Sequence, residues 1–353
     1  MEEGLIRRKE VAKLAGVSEA TVSRVLNGVG PVKEDTRERV MAAARQLNYV
    51  PSALAQRFAR SKSGNLGVIL PLLPKVNLFS TYYFSEILSG IGITAKERGY
   101  DLLLLFRKPE EPREYADLFR MQKIDGCIIL GAQDVPDERA ALSELQEGQY
   151  PFCLVNQRFD GQPYNTVDAD QRMGSYAAAK HLIGQGYERI IFLNGPSVYS
   201  NSLDRLEGYR QALSEAGLEY DPSMVLVGNY SQKSGYEHAE AVARLLGNGR
   251  KNAVIAANDR MAIGLLQGLK ECGVYVGKDL ALFGCDDSDG ARLTDPPLSS
   301  ISVPFYKIGC EAASRLLDII MGTPEQKNGF SVKLPVQLAV RVSSGPLALQ
   351  GLG

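Results

Sequence analysis

Histidine is nearly absent: His181 and His238 are the only two in 353 residues, and neither stands at metal-ligand spacing from a cysteine. That argues against a zinc site. The five cysteines (Cys127, Cys153, Cys272, Cys285, Cys310) are scattered, odd in number and mostly set in apolar runs such as "DGCIIL" and "PFCLVN". They read as small core residues of a reducing compartment rather than a disulfide framework. No stretch approaches the roughly 20 apolar residues of a spanning helix, and "MEEGLIRRKEVAKLAG" lacks the apolar centre and cleavage site of a secretion signal. A cytoplasmic protein with no membrane partner is expected.

Catalytic signatures are missing too. No G-x-S-x-G elbow occurs, and "GVYVGKD" has three residues between its glycines and Asp279 after its lysine, so it fails as a phosphate-binding loop. "GIGITA" at 90–95 fits a dinucleotide pattern but falls inside a segment that reads as helix. Asp286 and Asp287 are adjacent, yet chain neighbours usually point apart, and an Asp ending "LALFGC" more simply accepts hydrogen bonds from ligand hydroxyls. The expectation is no catalytic residue, no cofactor, no metal and no enzyme.

What is present is an ordinary soluble composition, 44% apolar and 23% charged, on a chain long enough for two or three domains. Its charge is unevenly placed. Residues 1–63 hold 12 of the 40 Lys and Arg but only 7 of the 41 Asp and Glu, which makes the head basic and the body acidic. A basic head suits a polyanion, and an acidic body repels the same polymer.

The head contains "VAKLAGVSEATVSRVLN". Val11, Ala12, Leu14 and Ala15 form the inner face of a short helix, Gly16 permits a turn, and Ser18 can cap a second helix whose Val22, Val25 and Leu26 face inward. This is helix-turn-helix patterning. The outer face carries Glu19, Ala20, Ser23, Arg24 and Asn27, short or polar side chains that allow a helix into a major groove. A third helix, "EDTRERVMAAARQLNY", places acids at its start and Val40, Ala43, Ala44 and Leu47 along its buried stripe. In "YVPSALAQRFARSKSGN", Phe58 among Gln56, Arg57 and Arg60 reads as a minor-groove wedge, with packing on the three-helix core as the alternative.

From residue 66 the periodicity changes to apolar strand runs separated by helices, near 83–98, 111–122, 137–146, 171–185, 202–217, 231–246, 259–272 and 305–321, with a last strand near 332–339. Two α/β halves with parallel sheets follow, and a ligand cleft between them is expected at the strands' carboxyl ends.

Taken together, "VAKLAGVSEATVSRVLNG", "TRERVMAAARQLNYVPSALAQ", "GYERIIFLNGP", "RLEGYRQAL", "AANDRMAIGLLQGLKECG" and "LALFGCDD" resemble the LacI/GalR (lactose-repressor) family over nearly the whole chain. The resemblance implies an all-α helix-turn-helix head on an α/β body of two doubly wound parallel-sheet subdomains, like the periplasmic binding proteins. It implies a homodimer on an inverted-repeat double-stranded DNA operator, with a sugar or sugar derivative as effector. The boundaries expected are 1–50 for the head, 51–63 for a hinge helix and linker, and 64–343 for the body. Within the body, about 64–161 and 293–322 are assigned to the N-subdomain, and about 162–292 and 323–343 to the C-subdomain.

By the same resemblance Glu19, Ala20 and Arg24 read bases, Ser18, Thr21, Ser23 and Asn27 lie nearer phosphates, and Phe58 is the hinge wedge. Effector contacts are expected from Tyr83 and Phe84 in the first loop, Asn156 and Arg158, Arg205, Tyr230, Asn258 and Asp286. Two of these have plain alternatives: Asn258 as a helix cap and Arg205 as a surface arginine. The chain departs from the family in carrying Phe58 where leucine is usual, Lys33 where serine is usual, and a longer, more aromatic first loop, "LPLLPKVNLFSTYYF". A repressor released from its operator by the ligand is the expected reading, beside a corepressor mode and a sugar-binding module without DNA function.

Overall fold

The computed structural model describes residues 8–28, 30–50, 62–72, 77–108, 110–247, 251–322 and 329–345. Phe58 and the rest of the expected hinge through residue 61 lie outside the described residues.

Three helices form the head: α1 (Arg8–Ala15), α2 (Glu19–Asn27) and α3 (Glu34–Gln46). Each is too short to be stable alone, so they depend on a shared core. That core is Val11, Ala12, Ala15, Val22, Val25, Val40, Ala43 and Ala44, small side chains that let the helices cross closely. Leu14, expected to face inward, is exposed, because the stripe of Val11, Ala12 and Ala15 lies on the other side of α1. Arg39 ties α3 to α1 through Nη1 to the Ala15 carbonyl at 3.2 Å.

The body holds two six-stranded sheets. The first uses β1 (Asn65–Pro71), β2 (Asp101–Arg107), β3 (Gly126–Leu130), β4 (Phe152–Val155), β5 (Thr166–Ala169) and β11 (Ser331–Leu334), in the order β2-β1-β3-β4-β5-β11, all parallel. The second uses β6 (Arg189–Asn194), β7 (Val225–Val227), β8 (Asn252–Ala256), β9 (Leu280–Asp286), β10 (Ser299–Ser302) and β12 (Gln337–Ala339). Its order is β7-β6-β8-β9-β10-β12, with only the β10–β12 pairing antiparallel.

Each sheet is covered on both faces, which is why its strands read as apolar runs. Leu66, Val68 and Leu70 of β1 meet α4 (Tyr82–Glu97) and α13 (Phe305–Met321), while Ile69 turns to α5 (Tyr115–Arg120) and α6 (Pro136–Glu147). In the second sheet Ile190 and Phe192 of β6 pack with α7 (Gln171–Gly184) and α8 (Ser200–Glu215). Ile191 and Leu193 pack with α10 (Ala239–Leu245) and α11 (Asp259–Glu271). Two short helices complete the second lobe, α9 (Gln232–Glu237) and α12 (Asp289–Arg292). Gly90, in the apparent dinucleotide motif, is a helix-crossing residue: a Cβ there would stand 2.2 Å from the Tyr306 carbonyl oxygen of α13.

Several expected boundaries move. β5 belongs to the first sheet, beside β4, so the division at 161/162 falls too early. β10, assigned to the N-subdomain within 293–322, lies in the second sheet beside β9, and β11, assigned to the C-subdomain within 323–343, lies in the first. The single strand near 332–339 is two strands in different sheets, parted at Pro335, which has no N–H to continue a ladder. The helix near 231–246 is broken at His238, and the one near 111–122 spans only Tyr115–Arg120. The four-residue strands "TVDA" and "SSIS" carry too few apolar residues to register as strand runs. The chain therefore crosses between lobes after β5, after β10 and after β11.

Candidate functional site

In both sheets strand order reverses at the first strand, β1 between β2 and β3, and β6 between β7 and β8. Ligands of open parallel sheets bind beyond the carboxyl ends at such a reversal. Here the two reversal points face one another across a cavity of about 370 Å³, and its lining comes from the ends of strands: Arg107 of β2, Gln133 after β3, Asn156 after β4, Tyr230 after β7, Asn258 after β8 and Asp286 of β9. That volume lies at the lower end of small-molecule pockets.

The second-lobe wall is a continuous polar network. Arg205 is buried, which removes the surface alternative; its Nε donates to Gln171 Oε1 at 2.9 Å and its Nη1 to the Tyr230 hydroxyl at 3.3 Å. The same hydroxyl donates to Asn201 Oδ1 at 3.2 Å and shares a short hydrogen bond with Ser202 Oγ. Burial raises the Tyr230 pKa, so the phenol stays protonated. Gly195 makes room for that ring, since a Cβ would stand 2.1 Å from Tyr230 Cζ. Asn258 lines the cavity but its amide is engaged, Oδ1 capping α11 at the Met261 N–H (2.9 Å) and Nδ2 donating to the Tyr230 carbonyl (3.0 Å). It is a helix cap as well as a wall.

Asp286 is buried at the end of β9, and its carboxyl is held well above the usual range by burial, then by the Asp259 charge, with Arg205 pulling the other way. Asp287 points elsewhere, bonded to Arg341 and, at 3.3 Å, to Arg292. Among the described residues seven non-glycines have positive φ, and three of them line the cavity: Asn156 (53°), Tyr230 (66°) and Asp286 (127°). Uncommon backbone of this kind persists where surrounding structure enforces it, and it gathers at ligand sites.

The first-lobe wall is less saturated. Tyr83 and Phe84, expected in a loop, stand in the first turn of α4; both line the cavity, with rings edge-on at 4.8 Å. Burial raises the Tyr83 pKa. Asn156 Oδ1 accepts from the Ala169 N–H at 3.1 Å, and its Nδ2 is buried with no acceptor. Sequence reasoning missed Arg107 and Arg113, which line this wall, and Arg260 opposite. The one signal for Arg107 and Arg260 was their place beside strand ends.

Arg158 is corrected. It is not part of the lining; Nη2 reaches both oxygens of Asp204 on α8 at 2.7 Å, and Nη1 lies 3.7 Å from Asp168 Oδ2. It links the lobes instead, with Gln157 Oε1 accepting from the Ser200 N–H (2.9 Å) and the Asp134 N–H donating to the Val198 carbonyl (2.8 Å) alongside.

In the head, Ser18 caps α2 by accepting from the Thr21 N–H at 3.1 Å, with the two hydroxyls 2.9 Å apart. Glu19, Ala20 and Arg24 are exposed on one face, and Thr21 and Ser23 are half-buried. Glu19 lies 3.5 Å from Arg8, whereas Arg24 has no ion pair among the described residues. Asn27 differs from expectation: it is buried, its Nδ2 donating to Ser23 Oγ at 3.1 Å, because one turn further along α2 the face rolls into the bundle.

A helix-turn-helix head carried by the same chain as a two-lobed cleft defines a DNA-binding protein with a small-molecule site. The model described as "Bacterial regulatory proteins, lacI family" matches residues 9–52, and the "Periplasmic binding protein-like domain" matches 179–344. The transcriptional regulator DegA of Bacillus subtilis is 30% identical over 96% of this chain and 98% of its own. A CelR–cellobiose complex is 30% identical, covering 96% of this chain and 99% of that one, with a TM-score of 0.73. A Lac repressor dimer bound to operator and the anti-inducer ONPF is 27% identical over the same shares, with a TM-score of 0.81. The chain belongs to the lacI family of bacterial transcriptional regulators.

Proposed function

We propose that this regulator is a homodimeric repressor that binds an inverted-repeat operator and is released by a sugar or sugar derivative held in the cavity. The observation that carries the reading is the convergence of Arg205, Tyr230, Asn156 and Asp286 on one enclosed space in a chain that also bears the exposed α2 face. Arg205 and Asp286 suit vicinal hydroxyls through charge-assisted hydrogen bonds, and Tyr83 and Phe84 suit the apolar side of a sugar ring. The cellobiose held by CelR and the operator and ONPF held by the Lac repressor support it. Arg24, Glu19 and Ala20 are the proposed base readers, with Ser18, Thr21 and Ser23 near phosphates and Phe58 as the hinge wedge. The reaction field is binding alone, without turnover.

The test selects DNA bound by the full chain from a random pool and then screens sugars for release. An inverted repeat, freed by a sugar that also raises the melting temperature, is the expected result. Arg24→Ala should weaken the selected site by about 1–3 kcal/mol relative to random DNA. A ligand that tightens DNA binding would overturn release, and unchanged discrimination by the variant would overturn the Arg24 assignment.

A further inference from the structure

Two carboxylates among the described residues are wholly buried, Glu138 and Asp259. Glu138 stands among cations: it accepts from Arg107 Nη2 at 3.2 Å and from Arg113 Nε at 2.9 Å, and its other oxygen accepts from the Tyr115 hydroxyl at 2.6 Å. Asp259, the first residue of α11, is bonded to neutral donors instead. Its Oδ2 accepts from the Ser288 N–H at 2.8 Å and from the Ser288 hydroxyl at 2.9 Å, and its Oδ1 accepts from the Ser300 hydroxyl at 2.6 Å. Burying a carboxylate is costly, and here every hydrogen bond that offsets the cost comes from β10 or from the turn that follows β9.

That turn carries unusual backbone. Asp286 ends β9 at φ 127° and Asp287 follows at φ 59°, two successive non-glycine residues in a region that L side chains seldom adopt. Such a conformation persists only where groups outside it hold it in place. Asp259 fixes the far side of the turn at Ser288, and Ser300, itself bonded to Asp259, accepts the Asp287 N–H at 3.0 Å. The strand leading into the turn is fitted to the same carboxylate, since a Cβ on Gly284 would stand 2.2 Å from Asp259 Oδ1. The preceding residue does a similar service: Asn258 Nδ2 donates to the carbonyl of Tyr230, which stands at φ 66°. Two successive residues at the start of one helix thus hold two positive-φ residues of the cavity wall.

Asp259 does not line the cavity. From this geometry we infer that Asp259 is a positioning residue for the effector, holding the turn that aims Asp286 into the cavity. This rests on the reading of Asp286 as an effector contact and adds the residue that fixes its direction. Asp259 acts on Asp286 in a second way, because its charge, after burial, raises the Asp286 pKa. The two effects separate chemically: Asp259→Asn removes the charge but keeps an oxygen for Ser288 and an amide against Ser300 Oγ, whereas Asp259→Ala removes both.

The experiment measures amide hydrogen exchange over residues 284–290 of the full chain without added sugar, and calorimetric affinity for glucose, galactose, ribose and cellobiose. The variants are Asp259→Ala, Asp259→Asn, Asp286→Ala and the combination of Asp259→Ala with Asp286→Ala. Exchange at Asp287 and Ser288 is expected to be about tenfold faster in Asp259→Ala and to stay within about threefold of wild type in Asp259→Asn, whether or not a sugar of this panel binds. A sugar that binds the wild type should be held about fivefold more weakly by Asp259→Ala, the size of one net hydrogen bond, and by the combined variant no more weakly than by Asp286→Ala alone. Equal exchange in wild type and Asp259→Ala overturns the inference. So does an Asp259→Asn variant as impaired as Asp259→Ala, which would mean that charge alone acts, and so do losses that multiply in the combined variant. If Asp259→Ala does not fold, Ser300→Ala, which deletes the hydroxyl between Asp259 and Asp287, should speed the same exchange, and unchanged exchange there overturns the inference as well. Sugars weakened by Asp286→Ala but not by Asp259→Ala remove the positioning role and leave the effector reading standing. Sugars indifferent to Asp286→Ala remove Asp286 as an effector contact and the positioning role with it.

Discussion

The two walls of the cavity are built on opposite plans. On the second lobe the polar groups are largely matched to one another before any ligand arrives: the Tyr230 hydroxyl joins Ser202, Arg205 and Asn201, and both ends of the Asn258 amide are engaged. On the first lobe Arg107 Nε and Nη1 and Asn156 Nδ2 are left without acceptors. A wall satisfied internally keeps its shape and orients a ligand at little entropic cost. A wall with spare donors gains partners only from the ligand, and so it discriminates between ligands by their acceptors.

The strongest way to break this contrast is to disorganise the ordered wall. Gly195→Ala places a methyl group within bonding distance of the Tyr230 ring, so the ring must leave its hydroxyl partners. Effector affinity should fall by about a hundredfold, with stability lower by up to about 3 kcal/mol from overpacking. Isothermal titration and thermal melting read both, and a variant with native affinity would show that the network is not what orients the ligand.

The seam between the walls responds to pH. Burial, opposed by Arg158, pushes the Asp168 pKa up to about 6 from 3.8. Because this pKa is raised in the folded state, its favourable contribution is complete below about pH 4 and is lost as pH rises through about 6, for a change of at most about 3 kcal/mol. In Asp168→Asn that fall should vanish. Denaturant titrations from pH 4 to 7 should therefore show the wild type losing stability relative to the variant, and parallel curves would contradict the shift.

Which of these features could be read from the chain follows the same division. Arg205, Tyr230, Asn258 and Asp286 stand in or beside "RLEGY", "AND" and "CDD", local patterns that mark strand ends and helix starts, and all four line the cavity. Arg107, Arg113 and Glu138 stand in unremarkable charged surroundings 6 and 25 residues apart, and become a unit only when the loop before α5 folds against α6. Arg158 was misjudged for a similar reason. Its position after β4 was correctly adjacent to the cleft, but its partner Asp204 lies on the other lobe, and no local pattern announces a pair across 46 residues. The apolar strand runs were legible because both sheet faces are buried; "TVDA" and "SSIS" were not, since two of the four residues in the first and three of the four in the second are polar.

A smaller effect sharpens the role of that pair. Arg158→Ala and Asp204→Ala should each weaken effector binding a few-fold by loosening the closed cleft, since neither touches the cavity. The double variant should lose no more than either single one, because both remove the same contact. Additive losses in calorimetry would mean that the two residues act separately.

The central claim, that a ligand in this cavity governs DNA binding by α2, is tested most directly with Asp286→Ala. Fluorescence anisotropy on the selected operator would be followed while the effector found in the melting screen is added. The account predicts wild-type operator affinity for the variant without ligand, and a release curve shifted to higher effector concentration by about tenfold, the loss of one buried hydrogen bond. Release at the wild-type concentration would contradict it.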